Sequence, residues 1–215
     1  MRPGKEQTEL VEYYRRRAGE YEAIYAKPER QADLLLLKKK FSELLKGTRL
    51  LEIACGTGYW TSVLANAATS VLATDVAEEP MNIARAKSYP KKNVTLVESD
   101  AYALPESLGR FDAAFAGFWW SHVPRERIAE FTASLHARLE KGARVVLFDN
   151  LHVEGNSTPI VETDIAGNTY QMRELADGSR FRVLKNYPSR EELRNLFPGA
   201  HYRALQYYWL AEYKV

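Results

Sequence analysis

Cysteine is almost missing from this chain of 215 residues: Cys55 stands alone, so no disulfide can form within it. A reducing cytoplasm is the setting this implies. No apolar run approaches the roughly 18 residues that would cross a bilayer, and the opening MRPGKEQTEL lacks the apolar core of a secretory signal. The expectation is therefore a cytoplasmic protein that makes no use of a membrane. Nor is there an excess of either charge. Lys and Arg number 30 against 28 Asp and Glu, and a net +2 gives no argument for a nucleic-acid partner. Internal repeats and low-complexity tracts are absent too. What is present, 46% hydrophobic and 27% charged residues, is the profile of a globular chain long enough to bury one core.

The order of patterns along the chain predicts its architecture. Thr8 to Ala18 reads as a helix with Thr8 as N-cap and Gly19 as stop, and Val11, Tyr14, Ala18, Tyr21 and Tyr25 share a face if the helix resumes. A second amphipathic helix covers about Arg30 to Lys46. After Gly47 short apolar runs alternate with helical patterns: RLLEIA, YWTSVLANA, TSVLATD, EEPMNIARAKS, NVTLVESD, RFDAAFAGF, then a long helix PRERIAEFTASLHARLEKG ending at Gly142, then ARVVLFDN. This is a Rossmann-like, doubly wound α/β arrangement with a mostly parallel sheet. The last residues, AHYRALQYYWLAEYKV, add one or two terminal strands, with an antiparallel one at the edge. We expect a single domain over 1–215: an N-terminal helical lid over 1–46, a ligand-binding core over 47–150, a β-hairpin excursion over 151–188, and a terminal helix and strands over 189–215.

In such sheets the ligand lies beyond the carboxyl ends of the strands. One of those ends reads LLEIACGTGYWT. Gly56 and Gly58 suit a turn that brings the backbone close to a ligand, but Thr61 stands where a dinucleotide loop carries its third glycine. That argues against NAD. Asp75, 19 residues beyond Gly56, ends the second strand where a carboxylate takes a ribose hydroxyl; Asp100 ends the third, where one accepts from an exocyclic amine. A ribose, an adenine amine and no pyrophosphate describe an adenosyl compound. Glu52, just ahead of the loop, can hold the loop amides or a ligand's ammonium group.

These residues together resemble class I S-adenosylmethionine-dependent methyltransferases. Glu52-Ile53-Ala54-Cys55-Gly56-Thr57-Gly58 matches the family's glycine motif, with Ala54 and Cys55 where many members carry glycine and a small residue. Asp75 matches the ribose-binding acid and Asp100 the adenine-contacting acid; RFDAAFAGF and ARVVLFDN match the later motifs. The stretches YYRRRAGEY, GYWT, FWWSHVP and ELADGSRFR are similar to bacterial small-molecule methyltransferases of the kind that O-methylates phosphonates in dehydrophos biosynthesis. The resemblance implies S-adenosyl-L-methionine as cofactor, S-adenosyl-L-homocysteine as its product, and a small-molecule acceptor. It implies cofactor contacts from Tyr14, Tyr21, Glu52, Ala54, Cys55, Gly56, Thr57, Gly58, Trp60, Asp75, Val76, Met81, Asp100, Ala101, Tyr102, Phe118 and Trp119. N- or S-methylation, or a regulator that only binds the adenosyl ligand, are the alternatives to O-methylation.

Methyl transfer needs in-line positioning, and it needs a base only if the acceptor keeps a proton. Of the four histidines, His136 and His201 fall in a helix and a terminal strand, whereas His122 and His152 follow strand ends. His122 is the candidate catalytic residue, as base or orienting donor; Tyr25, Trp119 and His152 join it as acceptor contacts. A metal-assisted mechanism finds Asp149-Asn150 after the fifth strand but nothing acidic at Gly117-Phe118, so we expect no metal. Finally, Asp177-Gly178 predicts a two-residue hairpin turn that sets Arg173 opposite Arg182, a like-charge pair that makes sense around a bound anion. The opposite face would carry Tyr170, Met172, Phe181 and Val183, an apolar surface for the core or for a second subunit of a homodimer.

Overall fold

A computed structural model describes residues 5–90 and 92–215, and of residues 5–7 the backbone alone. Helix α1 (Lys5–Arg17) leads into a 3-10 run over Ala18–Ala26, and α2 (Gln31–Leu44) follows. Then strands and helices alternate: β1 (Arg49–Ile53), α3 (Tyr59–Ala67), β2 (Ser70–Asp75), α4 (Glu78–Ala86), β3 (Val94–Glu98), β4 (Phe111–Gly117), α5 (Ile128–His136), β5 (Leu139–Asn150). A small sheet is made by β6 (Glu162–Thr163), β7 (Thr169–Glu174) and β8 (Arg180–Leu184). The chain closes with α6 (Arg190–Leu196), β9 (His201–Ala204) and β10 (Tyr208–Lys214).

The main sheet has seven strands in the order β3-β2-β1-β4-β5-β10-β9. The first five are parallel, and β10 runs antiparallel to both β5 and β9. The parallel strands are apolar nearly throughout because helices cover both faces. Phe41 of α2 and Trp60 of α3 seal one face against Phe115 and Phe148; Phe131 and Leu135 of α5 seal the other. The order reverses between β1 and β4, which opens a crevice at their carboxyl ends.

Three local expectations change. Thr8 lies within α1 rather than at its cap, and Gly19 marks the passage from α-helix to 3-10 winding rather than a stop. The long helix ends at His136, not at Gly142. Leu139 is buried and already pairs with Phe111, and Gly142, at φ +80, sits in a bulge where residues 140–143 face Asp112 alone.

The hairpin register is the third change. Leu175 bonds Ser179 and Gly178 bonds Leu175, so the loop holds three residues, Ala176, Asp177 and Gly178. Gly178 has φ +80 but Asp177 is not left-handed, as the two-residue turn would require. The pairing slips by one: Arg173 faces Phe181 and Arg182 faces Met172. A slip of one puts the two arginines on opposite faces and splits the predicted apolar face. Phe181 and Val183 pack with Leu10, Tyr13 and Leu175 against α1, and Tyr170 and Met172 lie on the other side.

Candidate active site

The glycine loop begins where β1 stops. Ala54 has φ 53, Gly56 φ 56 and Gly58 φ 77, so the chain passes three times through the left-handed region within five residues. Phe118, at φ 57, does the same after β4. Left-handed non-glycine residues are strained and cluster at ligand sites. Between these turns lies a cleft lined by Ala54, Gly56, Thr57, Asp75, Val76, Ala77, Pro80, Gly117, Phe118, Trp119 and His122, and roofed by Leu10, Val11, Tyr14, Ala18 and Tyr21, with an open volume of about 620 Å³.

Asp75 is built into this loop. Its Oδ2 accepts from the Gly56 amide at 2.8 Å and its Oδ1 from Ala77 at 2.9 Å. Burial pushes its carboxyl above the ordinary range, and the two amides oppose that shift. Each oxygen keeps a lone pair for a further donor, which suits a vicinal diol, and the flanking Val76, Ala77 and Pro80 offer an apolar bed beside it. The donor set therefore fits a nucleoside.

The roof is tied down on three sides. Arg15 reaches Glu79 of α4 at 3.0 Å, Arg16 reaches Asp177 of the hairpin at 2.7 Å, and Glu22 accepts from Thr57 of the glycine loop at 2.7 Å and pairs with Lys87. Tyr14 donates to His122 Nε2 at 2.7 Å. The other ring nitrogen, Nδ1, lies 2.7 Å from the Leu184 carbonyl, which only accepts, so Nδ1 carries a proton, and the lowered pKa leaves the ring neutral with Nε2 as acceptor. Burial holds its pKa well below the usual histidine range, and the nearby Lys185 and Arg173 charges add to that.

Tyr14, Tyr21 and Phe118 also border a second cleft of about 700 Å³, whose other walls include Arg17, Lys27, Arg30, Asn150, Asn156, Ser157, Thr158, Gln171, Arg173, Lys185 and Tyr187. Its charged lining is cationic throughout. Arg173 is held by Gln171 Oε1 at 2.7 Å, and Gln171 in turn reaches the Tyr187 hydroxyl at 2.8 Å. Lys185 is buried against Asp149 at 2.8 Å, and Ser121 donates to the second oxygen of that carboxylate at 2.7 Å. Burial acts to raise the Asp149 carboxyl; the Lys185 charge and the hydrogen bonds from Lys185 and Ser121 outweigh it and keep the group below its ordinary value.

Not every expected residue comes to these clefts. Trp60 falls on the inner side of α3, between Phe41 and Phe148. Tyr25 stacks on Tyr59 at 3.7 Å, and Met81 and Cys55 are buried in the core rather than in the lining. Glu52 lies beneath the loop, fully buried, its carboxyl pushed up to about 8 by desolvation, so its neutral form is no partner for an ammonium group. Gly58 serves packing: a Cβ there would meet Tyr89 Oη at 2.6 Å and Ala84 Cβ at 3.0 Å. Asp100 turns back onto the Tyr102 amide at 2.9 Å, and Ala101 lies in the core. Tyr102 lines a small neighbouring cavity with Trp119 and His122. His152 is exposed behind Tyr187, edge-on at 5.1 Å. Arg182 leaves the site altogether: it pairs with Glu162 at 2.8 Å and lies over the Tyr170 ring.

Sequence reasoning missed Lys185, Arg30 and Tyr187. Lys185 had a signal, since Phe181, Val183 and Lys185 alternate onto one face. Arg30 had none, because only the fold carries the segment before α2 across to Asn150 and Asn156.

Comparison with known proteins agrees with this geometry. Residues 50–142 match a methyltransferase domain family. The demethylmenaquinone methyltransferase of Staphylococcus aureus is 28% identical over 172 residues, which cover 72% of this chain and 68% of its own. The solved complex of DhpI with SAM and HEP superposes with a TM-score of 0.80 at 26% identity, over 99% of both chains. The DhpI complex with SAH gives 0.77 at 27% identity, over 95% of this chain and 94% of that one.

Proposed function

The chain belongs to the class I S-adenosylmethionine-dependent methyltransferases, and from that premise we propose that it methylates an oxygen of a small anionic acceptor, with a phosphonate as the type case. The observation that carries this reading is the cationic cleft that meets the nucleoside cleft at Tyr14, Tyr21 and Phe118. A relative solved with SAM and HEP, DhpI, supports it.

When bound, S-adenosylmethionine would supply a sulfonium methyl for the lone pair of an acceptor oxygen, with the carbon–sulfur electrons left on sulfur. The protein's part is placement. Asp75 accepts from the ribose. Arg173 and Lys185 hold the anion, and arginine's planar fork matches a phosphonate or carboxylate through two bonds. The roof excludes water, which strengthens these contacts. An ionised acceptor has no proton to lose, so no base is required. His122, neutral and bonded to Leu184, fixes the direction of the Tyr14 hydroxyl at the border of the two clefts.

The test is a turnover screen with labelled methyl donor against phosphonates, carboxylates, phenols, amines and thiols. Methyl esters from phosphonates or carboxylates are the expected products. Labelling of amines or thiols alone would replace this reading with N- or S-methylation, and cofactor binding without any product would make the protein a regulator.

A further inference from the structure

The second cleft holds more positive charge than one anionic group neutralises. Arg173 and Lys185 form one group on the small-sheet side, next to Tyr14 and His122; Lys27 and Arg30 form another ahead of α2, next to Asn156. Among the described residues no carboxylate lines the cleft. Asp149 compensates Lys185 alone. Arg30 is fixed entirely by neutral groups: Asn156 Oδ1 at 2.6 Å, Asn150 Oδ1 at 3.1 Å, and the Tyr207 and Tyr208 rings at 5.2 and 5.5 Å. Its sequence neighbour Glu29 is exposed and makes only a 3.4 Å contact to Asn156. A half-buried guanidinium held by amide oxygens and rings keeps its charge for a ligand. The hydrogen-bond partners of Arg30 and those of Arg173 and Lys185 share no residue, and the two groups come from different elements, the segment ahead of α2 and the small sheet with the residue after it. Tyr187 lies in the field of both Arg173 and Arg30 and so sits between the two pairs of cations.

We propose that the acceptor carries two separated anionic groups. The group that is methylated sits on Arg173 and Lys185; a second anion, in the simplest case a carboxylate, sits on Arg30 and Lys27. This rests on the reading of the cleft as the acceptor site.

The test compares ω-carboxyalkylphosphonates having two to four methylene groups with alkylphosphonates of equal length, by kcat/KM. In the wild type the best carboxylated member should exceed its matched alkylphosphonate by at least about tenfold, as one charge-assisted hydrogen bond gives. In Arg30→Gln and in Lys27→Gln that ratio should fall toward one, whatever happens to either rate alone. Should Arg30→Gln fail to fold, the exposed Lys27 gives the same readout. Alkylphosphonate turnover with no carboxylate advantage, or an advantage that survives both substitutions, overturns the two-anion proposal and leaves the proposed function standing. No turnover of any phosphonate or carboxylate overturns both.

Discussion

Glu52 sits below the glycine loop with one carboxylate oxygen buried and unpartnered, and desolvation raises its pKa to about 8. The folded protein therefore binds this proton more tightly than the unfolded chain, whose carboxyl titrates near 4.5. Stability from this group is complete below that value and is lost as pH rises through about 8. Glu52→Gln removes the titration, so its stability relative to wild type should grow between pH 5 and pH 8 in denaturant melts. A constant difference across that range would show that Glu52 is ionised in the fold. The loop itself makes a second prediction. Ala54→Gly relieves a left-handed alanine and should stabilise by about 1 kcal/mol. Gly58→Ala adds left-handed strain and a clash with α4, and should cost about 1–3 kcal/mol in the same melts. Asp75 and Gly56 were legible from the chain because strand ends and turns dictate their chemistry. Trp60 and Cys55 were not, since the direction a side chain takes after a left-handed turn is set by packing; nor was Met81, since packing decides which face of α4 turns inward.

The lid and the small sheet hold the main lessons at the level of elements. A three-residue loop and a two-residue turn share the same Asp-Gly signal, and one residue of register decided which arginine enters the cleft. The lid's apolar face was legible from spacing; its ties to Glu79, Thr57 and Asp177 were not, because they join residues far apart in the chain. Those ties also fix where a truncation should fall. Tyr25 stacks on Tyr59 and packs against Trp60, so it belongs to the core. Deleting residues 1–20 should leave a cooperatively folding protein that binds S-adenosylmethionine at least about tenfold more weakly, since Leu10, Val11, Tyr14 and Ala18 no longer cover the cleft. Calorimetric titration checks this, and unchanged affinity would show that the roof plays no part in retention.

Across the whole molecule, the parallel sheet and its reversal between β1 and β4 were readable from alternating patterns, and they place one cleft. The cationic cleft was readable only in part. Its cations come from the end of α1, the segment between the 3-10 run and α2, β7 and the residue after β8, and no local pattern announces that these meet. In the proposed reaction Arg173 holds the anion beside a separately held cofactor. The direct measurement is Arg173→Met, with KM for a phosphonate acceptor and the dissociation constant for S-adenosylmethionine determined on the same preparation. A KM raised at least about tenfold with the cofactor constant unchanged is the predicted result. An unchanged KM, or equal losses in both constants, would contradict it.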